Sequence, residues 1–374
     1  MPLSLAAAGR RLAALLGADL PPAVPADRPE VDDLDAWPVP EEAFPVHVAA
    51  DHAAVRLQDG RLSIAIDGGE PTTVRLDDVA CLMAHGNTTI SSPALIALMR
   101  RGRPVLWHGF DGRLVGQTLG LAGQPSAVRE AQYAAAADPT RTLAIARALV
   151  AAKIAGSRRL LARRFGARDE AVRRLARLEV ELPAARSLDR LRGFEGAAAE
   201  AYFAAWPRMI SPARPHLAFT GRSRRPPGDA ANAALSYLYA VLHGRCAAAA
   251  VAAGLDPMVG FLHARRAGRA ALALDLMEPL RPLIVDAALI AAFNNGEFPP
   301  EYFETPAPGG PGHRLSARGR HVALQIFERR LAQRATDGGS GRRGAYLDAL
   351  TGQAFGLARA LRRGEAFTAF GPKR

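Results

Sequence analysis

The chain has 374 residues, a formal net charge of +12, 49% hydrophobic and 22% charged residues. That is the balance of a globular protein, and at this length two domains are expected, because a single core stops growing at roughly 250–300 residues. No continuous apolar run reaches the ~20 residues that cross a bilayer, so no membrane partner is expected. Cys81 and Cys246 have no CxxC partner, which excludes a disulfide framework and a zinc site and reads as two buried thiols of a cytoplasmic protein.

Residues 3–20 are rich in Ala and Leu, but Arg10 and Arg11 interrupt their middle. They read as a short amphipathic helix, since a signal peptide carries its charge before the apolar run. Residues 21–45 hold seven prolines and many acids and read as a linker or arm. From 46 to 81, Val46, Val48, Val55, Leu57, Leu62, Ile64, Ile66 and Val74 alternate with polar or small residues, a strand pattern. Asp59-Gly60 and Gly68-Gly69 are the expected hairpin turns. A helix at 93–101, capped by Ser91 or Ser92, and strands at 104–107 and 114–117 complete a small β domain.

From about residue 125 the period becomes helical. Helices are expected at 140–165, 170–180, 194–206, 229–253, 279–294, 318–335 and 344–363, with loops at 212–228, 306–312 and 337–341. The predicted fold class is α+β. A helix and Pro-rich arm fill 1–45, a β-sheet domain 46–122, and a larger all-α catalytic domain 123–374.

Charge is distributed unevenly. Residues 1–120 carry −5 and residues 121–374 carry +17. A surplus confined to the helical region implies a polyanionic partner, and nucleic acid is the simplest one. Of the 48 basic residues only Lys153 and Lys373 are lysine. Arginine suits phosphate because its planar fork can bond two oxygens at once.

Three segments of that region hold candidate chemistry. Glu195 lies between Gly193 and Gly196, at the expected start of a helix, where an acid would favour the dipole. His263 follows Phe261-Leu262, a setting in which most histidines are simply packed. Asp275 and Glu278 are three apart and share a helical face, a spacing that also fits a capping box before Pro279 and Pro282. Each signal is weak alone. Together, two or three carboxylates and one imidazole are a plausible shell for Mg²⁺ or Mn²⁺. Such an ion polarises a phosphoryl oxygen and orients nucleophile and leaving group. Arg222, Arg224, Arg225, Arg265, Arg266, Arg269 and Arg281 cluster near these acids in sequence and are candidate phosphate contacts.

Several stretches resemble the CRISPR-associated endonuclease and integrase family called Cas-one. The most specific are FEGAAAEAYF at 194–203, RRPPGDAANAALSYLYAVLHG at 224–244, AGLDPMVGFLHARRAGRAALALDLMEPLRPLIVD at 253–286, and the tail from RLSARGRHVALQIFERRL. GNTTISSPALIALMRRGRPVLW at 86–107 resembles the family's β domain. The resemblance covers roughly 46–374 and implies a homodimer that works with a small bridging partner, Cas-two. It also implies metal ligands at Glu195, His263 and Glu278, a further acidic position at Asp275, and a DNA path lined by Asn232, Tyr237 and nearby arginines.

Two features depart from the family pattern. Behind Lys153-Ile154 this chain has Gly156-Ser157 where the family has an Asn-Gln pair, on a helix expected to lie outside the metal site. The N-terminal segment resembles the end of the Cas-four nuclease, a further expected partner, but lacks the cysteines of its iron–sulfur cluster. The activity implied is spacer acquisition, in which the 3′-hydroxyl of a double-stranded DNA fragment attacks a phosphodiester at a CRISPR repeat. Asp275 either joins the ligands or orients His263. The alternatives are an unrelated metal-dependent DNase and a non-catalytic DNA-binding scaffold.

Overall fold

A computed structural model describes residues 43–50, 52–120, 126–223, 226–304, 312–338, 341 and 343–371. The expected N-terminal helix, most of the Pro-rich arm, Arg224, Arg225 and most of the loop at 306–312 lie outside the described residues. The chain divides into two compact units, Met1–Gln124 and Pro125–Arg374.

The first unit contains two four-stranded sheets. β1 (Phe44–Ala49), β5 (Val79–His85), β7 (Val105–His108) and β8 (Leu114–Thr118) form one, in that order. β4 (Thr72–Arg75), β3 (Arg61–Ile66), β2 (Ala53–Gln58) and β6 (Thr88–Ile90) form the other. The expected alternation places Val46, Val48, Val55, Leu62 and Ile64 in one core with Leu98 of helix α1 (Ser92–Arg100). Ser91 caps α1 by position, without a side-chain bond. The first hairpin turn is Asp59-Gly60, with φ of 48° and 71°. The second is Asp67-Gly68, at 49° and 74°, one residue earlier than expected, because Asp tolerates the left-handed region that a primed turn needs at both positions. β1, β5 and β7 run parallel, a pairing that alternation alone does not specify.

The second unit is helical. α2 (Ser126–Ala137), α3 (Pro139–Phe165), α4 (Glu170–Glu181) and α5 (Leu188–Ala204) precede a long central helix, α6 (Ala230–Ala252). After it come α7 (Ala271–Met277), a π-helical turn (Arg281–Asp286), α8 (Ala287–Asn294), α9 (Ala317–Leu331) and α10 (Tyr346–Arg363). Two small hairpins, β9 (Phe303–Glu304) with β10 (Arg314–Leu315) and β11 (Arg334–Thr336) with β12 (Arg343–Ala345), were not expected from sequence.

α3 packs on α4, α5 and the π-helical turn, and α6 on α7, α10 and that same turn. By length and mean hydropathy α6 alone among the described helices could cross a membrane, but most of it is buried as the core helix of this unit. The helix expected at 279–294 is present as the π turn and α8, preceded by the separate α7, and Pro279 and Pro282 withhold two backbone donors where it begins. α5 begins at Leu188, where Ser187 accepts from the Arg190 N–H, rather than at 194. Gly193 and Gly196 suggested a boundary, but both sit inside the helix.

Candidate metal and phosphodiester site

The candidate site lies within the helical unit, where α3, α5, α7 and the π turn meet. α7 supplies Asp275, which is fully buried. Its carboxylate does not cap α7. It reaches back to the loop before the helix, accepting from the backbone N–H of Phe261 at 2.5 Å, Leu262 at 3.0 Å and His263 at 2.9 Å. The same Oδ1 lies 2.7 Å from His263 Nδ1. Because an ionised carboxylate only accepts, Nδ1 carries a proton, and in the neutral ring Nε2 holds the lone pair. Nε2 faces Glu278, 3.8 Å from its Oε1.

Gly260 is required for this arrangement. A Cβ there would sit 2.7 Å from Asp275 Oδ2 and 2.9 Å from the Ala271 carbonyl carbon.

Glu278 follows the last turn of α7, and its side chain is only 4% exposed. Two cations hold it: Lys153 Nζ of α3 lies 2.6 Å from Oε2, and Arg281 of the π turn 3.1 Å from Oε1. Burial, the largest single influence, pushes the Glu278 pKa up. The charges of Arg281, Lys153 and His263 together outweigh it and hold the carboxyl at about 2. Lys153 also contacts Glu195 Oε1 on α5, so one ammonium spans both glutamates. The Arg281 guanidinium lies over the Tyr239 ring at 4.6 Å. Beneath it, Asp286 is buried and accepts from Tyr239 at 2.7 Å and Tyr202 at 2.8 Å. Burial drives the Asp286 pKa up, the two phenol hydrogen bonds and Arg281 oppose it, and it stands at about 6.

The structure therefore brings His263, Asp275 and Glu278 together directly, and Glu195 joins them through Lys153. Among the described residues, no three of the His, Cys, Asp and Glu side chains form a ready metal cage. The donors themselves fit a hard divalent cation: two glutamates, one kept ionised, and an imidazole Nε2 freed by its aspartate-bound Nδ1. The lysine ammonium occupies the place of a cation between the carboxylates.

Several expectations are corrected. Glu195 lies inside α5 rather than at a helix start. The helix carrying Lys153 does not lie outside the site, because Lys153 is its central cation. Asn232 is fully buried and its amide is engaged with Asp229, Gly221, Arg222 and Ser223, so it builds a loop instead of lining a DNA path. Tyr237 is 5% exposed and likewise internal. Arg281 is committed to Glu278 and Tyr239.

Arg222 is partly exposed, bonded to Asn232 Oδ1 at 2.8 Å and Ser236 Oγ at 3.1 Å. It borders an open cavity of 690 Å³ that runs past Ala199 and Phe203, one to two turns beyond Glu195 on α5. Arg265 and Arg266 are exposed and Arg269 is half-buried, on a turn reversed at Gly268. Lys153, Tyr239, Tyr202 and Asp286 were not singled out from sequence. A lysine kept among arginines was the one signal available for the first.

The chain belongs to the Cas1 family: the family model for "CRISPR associated protein Cas1" matches residues 46–329. A Cas4/Cas1 fusion from Rhodospirillum rubrum is 39% identical over 306 residues, covering 80% of this chain and 52% of the fusion. A Cas1 endonuclease from Thermus thermophilus is 39% identical over 289 residues, covering 77% of this chain and 87% of the relative. The chain thus spans about half the length of the fusion it matches. Among solved structures, a Cas1 protein from Thermotoga maritima superposes with a TM-score of 0.74 at 20% identity, over 88% of this chain and 100% of that one. A casposase bound to its integration product superposes at 0.76 and 22% identity, over 88% and 94%. These two likenesses establish the fold.

Proposed function

We propose that the chain is a spacer-acquisition integrase, a DNA strand-transferase that also hydrolyses phosphodiesters. The observation that carries this reading is His263 Nε2 at 3.8 Å from the ionised, buried Glu278, with Nδ1 anchored on Asp275. Glu195, His263 and Glu278 would hold Mg²⁺ or Mn²⁺, which when bound polarises a phosphoryl oxygen and stabilises charge in the transition state. In strand transfer, the fragment's 3′-oxygen bonds to the target phosphorus and the target's own 3′-oxygen leaves. The attacking hydroxyl gives up one proton and the departing oxygen gains one. Hydrolysis replaces the attacking hydroxyl with water.

The chain's own residues hold this chemistry in place. Asp275 fixes the imidazole and the loop backbone that carries it. Arg281 fixes the orientation of Glu278. The exposed Arg265 and Arg266, with Arg222 beside its cavity, suit backbone phosphates without reading bases. The relatives' names support two partner readings, a Cas2-like bridging protein as in a solved Cas6-RT-Cas1–Cas2 complex and a Cas4-like nuclease, while a second copy of the chain rests on the sequence resemblance alone. A cytoplasmic location suits two buried free thiols. The test is His263→Ala: strand joining into a repeat-bearing plasmid should disappear while DNA binding persists, and normal joining would end the proposal.

A further inference from the structure

We propose that Lys153 is a built-in competitor for the metal position, which keeps divalent-cation affinity low until DNA arrives. The inference rests on the reading of Glu195 and Glu278 as metal ligands. One ammonium contacts both carboxylates, and its side chain is only 16% exposed. A divalent ion entering between the glutamates must therefore displace a cation already satisfied there. The displaced ammonium would lose two anionic partners in a partly buried place, a heavy penalty unless another anion replaces them.

The anion that reaches this position in the enzyme's own reaction is a DNA phosphate. Arg281, itself a cation bound to Glu278 Oε1, adds to the positive charge that this anion would meet. Metal and DNA are then coupled ligands. Each lowers the penalty for the other, and the coupling is reciprocal. Arginine cannot substitute for Lys153 without change, since a compact ammonium fits between two carboxylates where a planar fork pairs with one. That is a physical reason for a lysine at this position in a chain whose other basic residues are almost all arginine.

The test measures binding rather than turnover. Free Mn²⁺ is followed by electron paramagnetic resonance on full-length wild type, Lys153→Met, Lys153→Gln and His263→Ala, with and without a short duplex carrying a 3′ overhang. Both Lys153 variants should bind Mn²⁺ at least about tenfold more tightly than wild type without DNA. DNA should tighten Mn²⁺ binding to wild type about tenfold and leave the variants nearly unchanged. The two replacements differ in polarity but both lack the charge, so agreement between them separates competition from a folding defect. Lys153 variants that bind Mn²⁺ no more tightly than wild type, while His263→Ala loses the ion, would overturn the competitor and leave the site intact. Unchanged Mn²⁺ binding by His263→Ala would overturn the metal site itself.

Discussion

Replacing Asp275 with asparagine tests the geometry at its most constrained point. The carboxylate accepts four hydrogen bonds, two on each oxygen: Phe261 and Leu262 N–H on Oδ2, His263 N–H and Nδ1–H on Oδ1. An amide has one accepting oxygen, so its NH₂ must face two donors whichever way it is turned. With the amide nitrogen at the Oδ1 position, the imidazole can relieve its conflict by moving its proton to Nε2. The His263 N–H cannot.

One hydrogen bond to a charged group is lost, about 1.5–3 kcal/mol. In a helical unit of this size that lowers the melting temperature by about 2–4 °C per kcal/mol, or ~3–12 °C in all. The functional loss is larger than the loss of stability, because Nε2 now carries hydrogen toward Glu278 and cannot ligate. Misorienting a ligand through its partner typically weakens metal binding 10–100-fold. Thermal melting, Mn²⁺ binding and strand joining on the same preparation would separate the terms. A folded Asp275→Asn enzyme that binds Mn²⁺ and joins DNA at the wild-type rate would refute the tautomer argument.

Four further outcomes follow from the same coordinates. Gly260→Ala puts a methyl group 2.7 Å from Asp275 Oδ2 and should destabilise by about 1–3 kcal/mol, with joining reduced in parallel. An unchanged melting curve would contradict the packing. Asp286, standing at about 6 in the fold against 3.8 for its ordinary value, loses its proton later than in the unfolded chain. Its contribution to stability should therefore fall as pH rises from about 4 to 6 and level off above. Relative to Asp286→Asn, wild-type stability should drop by about 3 kcal/mol across that window in denaturant melts, and a flat difference would remove the argument. Cys246 is buried and burial pushes its thiol pKa up, so native protein should resist a thiol reagent until denaturant is added. Arg265→Ala with Arg266→Ala should reduce the salt slope of DNA binding by up to about 2, roughly one per lost phosphate contact, while leaving Mn²⁺ binding untouched.

The order of strands and helices was legible because each leaves a period in the sequence, and Val46 through Ile64 and the 140–165 stretch are examples. What escaped was tertiary in origin. Parallel pairing of β1 with β5, and of β5 with β7, follows from chain crossings, not from alternation. The π turn arises from two prolines whose spacing is equally good for the start of a helix. For the site, sequence identified the acids and the imidazole but not their relations. Asp275 looked like a cap because capping depends on spacing, whereas its true partners lie 12–14 residues earlier in a loop. Asn232 and Tyr237 carried a family likeness to DNA-lining positions. Their burial is a property of α6 as the core helix, which no window of sequence discloses.

The departure at Gly156-Ser157 acquires a meaning through the same helix. Gly156 lies one turn beyond Lys153, on the face of α3 that meets the π turn. A Cβ there would already stand 3.0 Å from Pro282 Cγ and 3.5 Å from Leu283. Anything larger must push α3 outward at the point where Lys153 reaches Glu278, itself four residues before Pro282. The small residue at 156 thus suits the close approach of α3 to the π turn, near the 2.6 Å contact of Lys153 with Glu278. An asparagine at this position, as the family pattern has it, would require a different separation of α3 from the π turn. The depth to which the ammonium enters the carboxylate pair is in this way set from outside the site, by how closely two backbones are allowed to approach.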